Sequence, residues 1–298
     1  MSAIWEIARN EALQHIRTKR LVVIGALTLL SLMLLTIVLP STLFGLNDVD
    51  VSDEFGDQTD VSLQNFAFLF FLNASIVGGY LLVQLLAMVL TADGISSEWQ
   101  RKTLFLVLSK PVSRTAFVVG KFIGGVVPLL ILYVVLFTLD YLVMIALYSG
   151  TPSPEQFGRF FGAVGILLLG ATSFAAMALF FSTLLRSSAG SMVWTLLVGI
   201  LVFPIVGAIG DFTLGGDERD GPVEDPDAFR YDWSHYVSPG HVMTKAGDVL
   251  LGEDIGLGLS LIPTNPPAST LGAILAGFVQ ILVFLGGALL VVNLRNFE

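Results

Sequence analysis

The sequence predicts an all-α integral membrane protein of six transmembrane helices with both termini in the cytoplasm. Three observations carry that expectation. Of 298 residues, 54% are hydrophobic and only 13% charged, whereas an average soluble domain is roughly 25% charged; the mean hydropathy is +0.82. Too few polar side chains remain to cover a soluble surface of this size, so the apolar surface must face lipid. Six apolar stretches, at about 21–46, 66–91, 117–148, 160–185, 189–210 and 270–294, each supply the roughly 20 helical residues needed to cross a hydrocarbon core of about 30 Å. Finally, the few charges are sorted by side. Arg9, Arg17, Lys19, Arg20, Arg101, Lys102, Lys110, Arg114, Lys121, Arg186 and Arg295, 11 of the 15 basic residues, fall on one side of the predicted spans. Lys and Arg stay cytoplasmic, which places both termini inside and demands an even number of spans.

The whole chain, 1–298, reads as one transmembrane domain. Its leader, 1–20, reads as an amphipathic helix on which Ile4, Trp5, Ala8, Ala12 and Ile16 share an arc of about 120° at 100° per residue; it is an interfacial helix packed against the bundle or, in the alternative, a basic leader that only sets orientation. His15 and Lys19 intrude on that arc, and Arg9, Arg17, Lys19 and Arg20 would sit near anionic headgroups. The first span is a retained anchor rather than a signal peptide, because its apolar run is too long and no small-residue cleavage pattern precedes Asp48. The first and last outer loops, 47–65 and 211–269, are long and acidic, and 18 of the 24 acids lie on the outer face; the net charge of −9 is therefore an outer-face property. Such acid-rich, lysine-poor loops occur in proteins exposed to high salt and equally in acidic ectodomains of ordinary organisms. Between the third and fourth spans a short turn holds Pro152 and Pro154. In the last loop, a Ser238–Pro239 start predicts a short helix over 242–251 on the outer surface of the membrane.

Composition narrows function. An acidic chain lacks the basic face that nucleic acid requires. Without cysteine there are no disulfides, thiolate metal sites or cysteine nucleophiles. All three histidines lie outside the spans, which argues against an intramembrane Ser–His hydrolase. His235 and His241 with Asp232 lack metal-ligand spacing, so ordinary loop histidines are the better reading. No mid-membrane charges or paired interrupted spans point to a secondary transporter, although six spans alone do not exclude one.

The most informative segment is cytoplasmic, 93–114. Ser97 with Gln100 three residues on forms a capping box and Pro111 ends the helix, which predicts a cytoplasmic helix over 98–109. Leu104, Val107 and Leu108 share a face, with Glu98, Arg101 and Lys102 near the other end, a form suited to docking on a protein partner, the alternative being a solvated basic loop that serves only orientation. Asp140 is the only acid inside a span, about 35 Å along the third; the simplest reading is a solvated carboxylate at the outer interface near Tyr141 and Tyr148, the other a lining of a transport pathway. Asn73, Gln84 and Gln280 are the uncharged polar candidates for a pathway, with helix-to-helix hydrogen bonding as the alternative. Pro128 and Pro204 mark kinks.

Asp93-Gly-Ile-Ser-Ser-Glu98, Arg101-Lys-Thr-Leu104, Leu108-Ser-Lys-Pro-Val-Ser-Arg114 and Phe117-Val-Val-Gly-Lys121 together resemble the signature of ABC-2 type transporter permeases. In that family E-x-x-x-G-T-L leads to L-x-S-x-P-[VI]-x-R and then to G-K at the start of the third span; Lys102 stands here where the glycine before Thr103 is usual. Among subgroups the chain looks most like the permeases related to the copper-maturation permease of denitrification clusters. The resemblance implies the membrane half of an ATP-driven exporter in a prokaryotic cell membrane, two permease copies (identical or paralogous) joining two ATPase subunits. It implies that Glu98, Trp99, Arg101, Leu104, Leu108, Lys110, Pro111 and Arg114 meet the ATPase. No G-x-x-x-x-G-K-[ST] occurs in the chain, so ATP and magnesium would belong to the partner and this chain would be no enzyme. A membrane anchor or scaffold without transport is the alternative with the same layout.

Overall fold

A computed structural model describes residues 3–17, 19–33, 82–102, 112–148, 154–206, 236–240, 242, 243, 246, 249 and 270–294. Among these the regular elements are all helical. They are α1 (Ala3–Arg17), α2 (Arg20–Met33), α3 (82–91), α4 (Ser96–Gln100), α5 (Arg114–Tyr148), α6 (Pro154–Leu184), α7 (Ser188–Leu196) and α8 (Thr270–Leu294), with a π-helix, Leu197–Val202, continuing α7 to residue 206. Four stretches among the described residues are long and apolar enough to cross a membrane: Arg114–Val143, Gln156–Leu184, Ser188–Val206 and Thr270–Leu294. They coincide with the third to sixth expected spans. The first two spans fall only partly on described residues, in α2 and α3.

The chain is a membrane protein, and its packing follows lipid logic rather than water logic. The core lies where α5 and α6 face each other, with Tyr133, Phe137 and Tyr141 against Phe160 and Phe174; Tyr141 stacks on Phe160 at 4.2 Å between centroids. Large apolar side chains such as Leu271, Leu275, Phe278 and Leu282 of α8 point outward. In lipid that exposure costs nothing, and the buried face of α8 carries Ala273, Gly277, Gln280 and Ala288 instead.

One end of the bundle gathers α1, α4, the start of α5, the end of α6, the start of α7 and the end of α8. Arg114 Nη1 donates to the Val292 and Asn293 carbonyls, both at 3.1 Å, so the first residue of α5 caps the last turn of α8. A second apolar cluster, Ile95, Phe117, Val118, Leu179, Ala288 and Val292, with Ile7 and Trp99 packed on it, knits these ends together. Because Arg9, Arg17, Arg101, Lys102, Arg114, Lys121 and Arg186 lie on or beside these elements, it is called the basic end below.

α1 ends where Lys19 takes a left-handed φ of 56° and its N–H bonds the Ile16 carbonyl, turning the chain into α2. The leader packs on the bundle, and its apolar arc is split: Trp5 and Ile16 at one edge are 56% and 54% exposed, while Ala8 and His15 on the same arc are buried with Glu11 beside them. Trp5 and Ile16 are content against lipid, whereas a carboxylate and an imidazole are costly there, so the helix turns Glu11 and His15 to the protein. It approaches α5 closely through two glycines. A Cβ at Gly120 would lie 2.8 Å from Ile7 Cβ, and one at Gly124 would lie 2.6 Å from the Ala8 carbonyl oxygen and from Glu11 Cβ.

The helix expected on the outer surface is likewise placed differently. Its described residues pack inward: Pro239, Val242, Met243 and Ala246 are buried, with Met243 against Gly170 of α6, Val242 against Gly277 of α8 and Val249 at Gly162. Gly277 is about 10 Å along α8 at 1.5 Å per residue, so the segment sinks between α6 and α8. Its apolar stripe at i, i+3, i+4 spacing finds a groove of glycines there, which explains the burial.

Candidate functional site

α4 has five residues, too short to persist by itself, and is held by bonds to distant elements. Its helical N-terminus offers unpaired N–H groups. The expected capping box would satisfy them with Ser97; instead the N-cap is Ile95, which has no side-chain acceptor, and the Ile95 and Ser96 N–H groups both donate to Ser182 Oγ of α6 at 2.9 Å. Ser182 Oγ in turn donates to Ser96 Oγ at 3.2 Å, and Ser191 Oγ of α7 donates to the Ala92 carbonyl at 2.5 Å. The cap thus comes from 86 residues away, and it fastens the turn after α3 to the hairpin between α6 and α7.

α4 also stops earlier than 109. The Arg101 N–H returns to the Ser97 carbonyl and the Lys102 N–H to the Trp99 carbonyl, both at 3.0 Å, and Lys102 takes φ 59°. That left-handed residue ends the helix at Gln100. It also explains why glycine is usual at this place in the motif the sequence resembles: only glycine enters this region without a Cβ penalty.

The side of α4 carries the charge. Glu98 Oε1 lies 2.5 Å from Lys121 Nζ, and Lys121 Nζ donates at 2.5 Å to Glu11 Oε2 of α1. His15 Nε2 lies 3.7 Å from Glu11 Oε1, one turn along α1. Glu11 is 8% exposed and Lys121 6%. One ammonium therefore holds two carboxylates from separate helices, an arrangement suited to the compact, three-donor head of lysine and less so to the planar fork of arginine. Trp99 packs into the second apolar cluster, and the Arg186 guanidinium lies over its ring at 5.1 Å.

The other expected site residues divide as follows. Arg101 and Lys102 are exposed beyond α4, and Arg114 turns its guanidinium to the end of α8. Leu104, Leu108, Lys110, Pro111 and Asn73 lie outside the described residues. Asp140 is 1% exposed, so the solvated carboxylate expected at the interface is corrected to one enclosed by protein. Gln280 Nε2 donates at 2.7 Å to the Tyr236 carbonyl of the inserted segment.

Gln84 of α3 reaches into the π-helix, where its Nε2 donates to the Gly199 carbonyl at 3.3 Å. In that helix the Phe203 N–H bonds the Val198 carbonyl five residues back. Gly199 would look to the N–H of residue 204, which is Pro204 and has none. A backbone carbonyl in a membrane must be satisfied within the protein, and the Gln84 amide does this.

Sequence reasoning singles out Glu98 but misses Glu11, Lys121 and Ser182 as members of one site. A signal for Glu11 is present, since an acid in the middle of a membrane-associated leader needs a partner; Ser182 carries no local signal.

Residues 5–294 match the family model described as ABC-2 family transporter protein. No curated protein matches the chain.

Proposed function

The chain belongs to the ABC-2 family of transporter proteins, and from that premise we propose that it is the transmembrane permease subunit of an ATP-binding cassette exporter, driven by a separate ATPase. The observation that carries the reading is the family match over nearly the whole chain, joined to the placement of α4. A short helix clamped by α1, α5, α6 and α7 at the basic end is a firm seat for an external subunit. On it Gln100, Arg101 and Lys102 are exposed and Trp99 is half-buried.

In this reading the basic end is cytoplasmic. The 93–114 segment receives the ATPase through Glu98, Trp99, Arg101, Leu104, Leu108, Lys110, Pro111 and Arg114, of which Glu98 and Arg114 act from within the permease. ATP and magnesium reside on the partner, and the permease hydrolyses nothing. Two permease copies and two ATPases assemble in a prokaryotic cell membrane, with cargo passing outward along the permease interface and Asp140, Gln84, Gln280 and Asn73 as candidate pathway residues. A place near the copper-maturation permeases of denitrification clusters belongs to the same proposal and rests on the motif alone.

The test is co-expression with a cognate P-loop ATPase subunit. The purified chain alone is expected to hydrolyse no ATP, and the pair to co-purify as a stable complex from which Arg101→Glu and Trp99→Ala reduce recovery at least fivefold. ATP hydrolysis by the lone chain would overturn the division of labour; absence of any complex would favour the scaffold.

A further inference from the structure

Lys121 lies about 10 Å along α5 from Arg114, at 1.5 Å per residue, at the level of α4 and α1. Its ammonium is 2.5 Å from Glu98 Oε1 and 2.5 Å from Glu11 Oε2, and these bonds join three elements that are remote in sequence. α4 is only five residues long and is also fastened to Ser182 of α6; α1 lies on α5 through Gly120 and Gly124. The Lys121 ammonium is the charged bond that ties both of them to α5 at one point. Without it the carboxylates of Glu98 and Glu11 would face one another and repel in a low-dielectric setting.

We propose that Lys121 is the positioning residue that transmits movement of α4 to α5 and α1, so that a subunit displacing α4 drags the third span and the leader with it. This rests on the permease reading above. The alternative is a static staple, in which the three groups stabilise the fold and carry no motion. Buried ion pairs are a poor source of net stability compared with apolar packing, and their best-attested use is to fix register between elements. Here the register fixed is that between the partner-binding helix and a spanning helix. Attraction across a 2.5 Å pair is also stiff toward separation, so α4 cannot leave Lys121 without stranding a buried charge.

The test uses the complete permease with its ATPase in lipid nanodiscs. The chain has no cysteine, so a single nitroxide on Leu139→Cys reports on the far half of α5, where Leu139 is exposed. The readout is the spectral change on trapping with ATP and vanadate, divided by the amount of ATPase bound. The native joint is expected to give a clear change, Lys121→Met to reduce it at least tenfold, and the exchange of Glu98→Lys with Lys121→Glu, made together with Glu11→Gln so that no second carboxylate faces residue 121, to recover at least half of it. A native-sized change in Lys121→Met overturns the proposal, as does a label that never responds in a native complex that does bind ATPase. Should Lys121→Met fail to insert, the paired exchange decides: recovery supports the joint, and an inserted but silent pair overturns it. If the native permease binds no ATPase at all, the permease reading fails instead.

Discussion

Lys102 carries a conformational penalty that its neighbours do not. Its φ of 59° ends α4, and a side chain in that region costs roughly 1–2 kcal/mol relative to the right-handed one. Lys102→Gly is therefore expected to stabilise the protein by about 1 kcal/mol and to raise Tm in detergent by about 2 °C, while Lys102→Val lowers it. A Tm that falls in Lys102→Gly would mean that the turn is built differently. At this scale the sequence is legible where chemistry is local: the departure from glycine shows in the motif itself, and its meaning is the left-handed turn. It is not legible where the partner is remote. Ser97 looks like the cap of α4 because the pattern is read over three residues, whereas the acceptor is Ser182, 86 residues on. Lys121 stands inside a recognisable Gly-Lys pair, yet nothing in the sequence tells which carboxylates reach it.

Helices show the same division between period and environment. The third to sixth spans are readable because length and hydropathy alone define them, and their helices begin and end within a few residues of expectation. The face that α1 presents to the bundle is not, because an amphipathic pattern says that a helix has two faces but not which one meets protein. In water the whole apolar arc goes inward; beside lipid its Trp5–Ile16 edge is free to go outward, and Glu11 and His15 decide which edge meets protein. Close packing of α1 follows, and it can be tested. At Gly124 a Cβ would press on the Ala8 carbonyl, which is backbone and cannot yield, so Gly124→Val is expected to cost about 1–3 kcal/mol and to lower Tm by several degrees. Gly165, with nothing within 4 Å of a Cβ, is the control: Gly165→Ala should leave Tm unchanged. Equal effects at the two sites would show that α1 does not lie on α5. The π-helix supplies a second case. Pro204 marks a kink in the sequence, but only the fold reveals that the kink leaves the Gly199 carbonyl for Gln84. Gln84→Leu, close in size, strands that carbonyl and is expected to cost about 1–2 kcal/mol, seen as a lower Tm. Gln84→Glu, which has no donor when ionised, should do no better. A neutral Gln84→Leu would mean that another group satisfies Gly199.

For the molecule as a whole, orientation is the property on which the functional reading turns. In the proposed reading charge asymmetry assigns the basic end to the cytoplasm, and the helices agree in direction: α5 leaves the end that holds α4, α6 returns to it at Ser182, and α8 returns to it at Val292, where Arg114 waits. Agreement among the helices fixes only their relative sense; the membrane must supply the absolute one. Because the chain has no cysteine, a single introduced thiol reports without interference. Pro154→Cys lies at the exposed start of α6, away from the basic end, and Gln100→Cys at the exposed end of α4. A membrane-impermeant maleimide added to intact cells is expected to label the first and spare the second, with the second labelled only after permeabilisation. The mirror-image pattern would place α4 outside the cell, beyond the reach of any cytoplasmic ATPase. The fold would stand in that case, and the coupling role proposed for α4 and Lys121 would not.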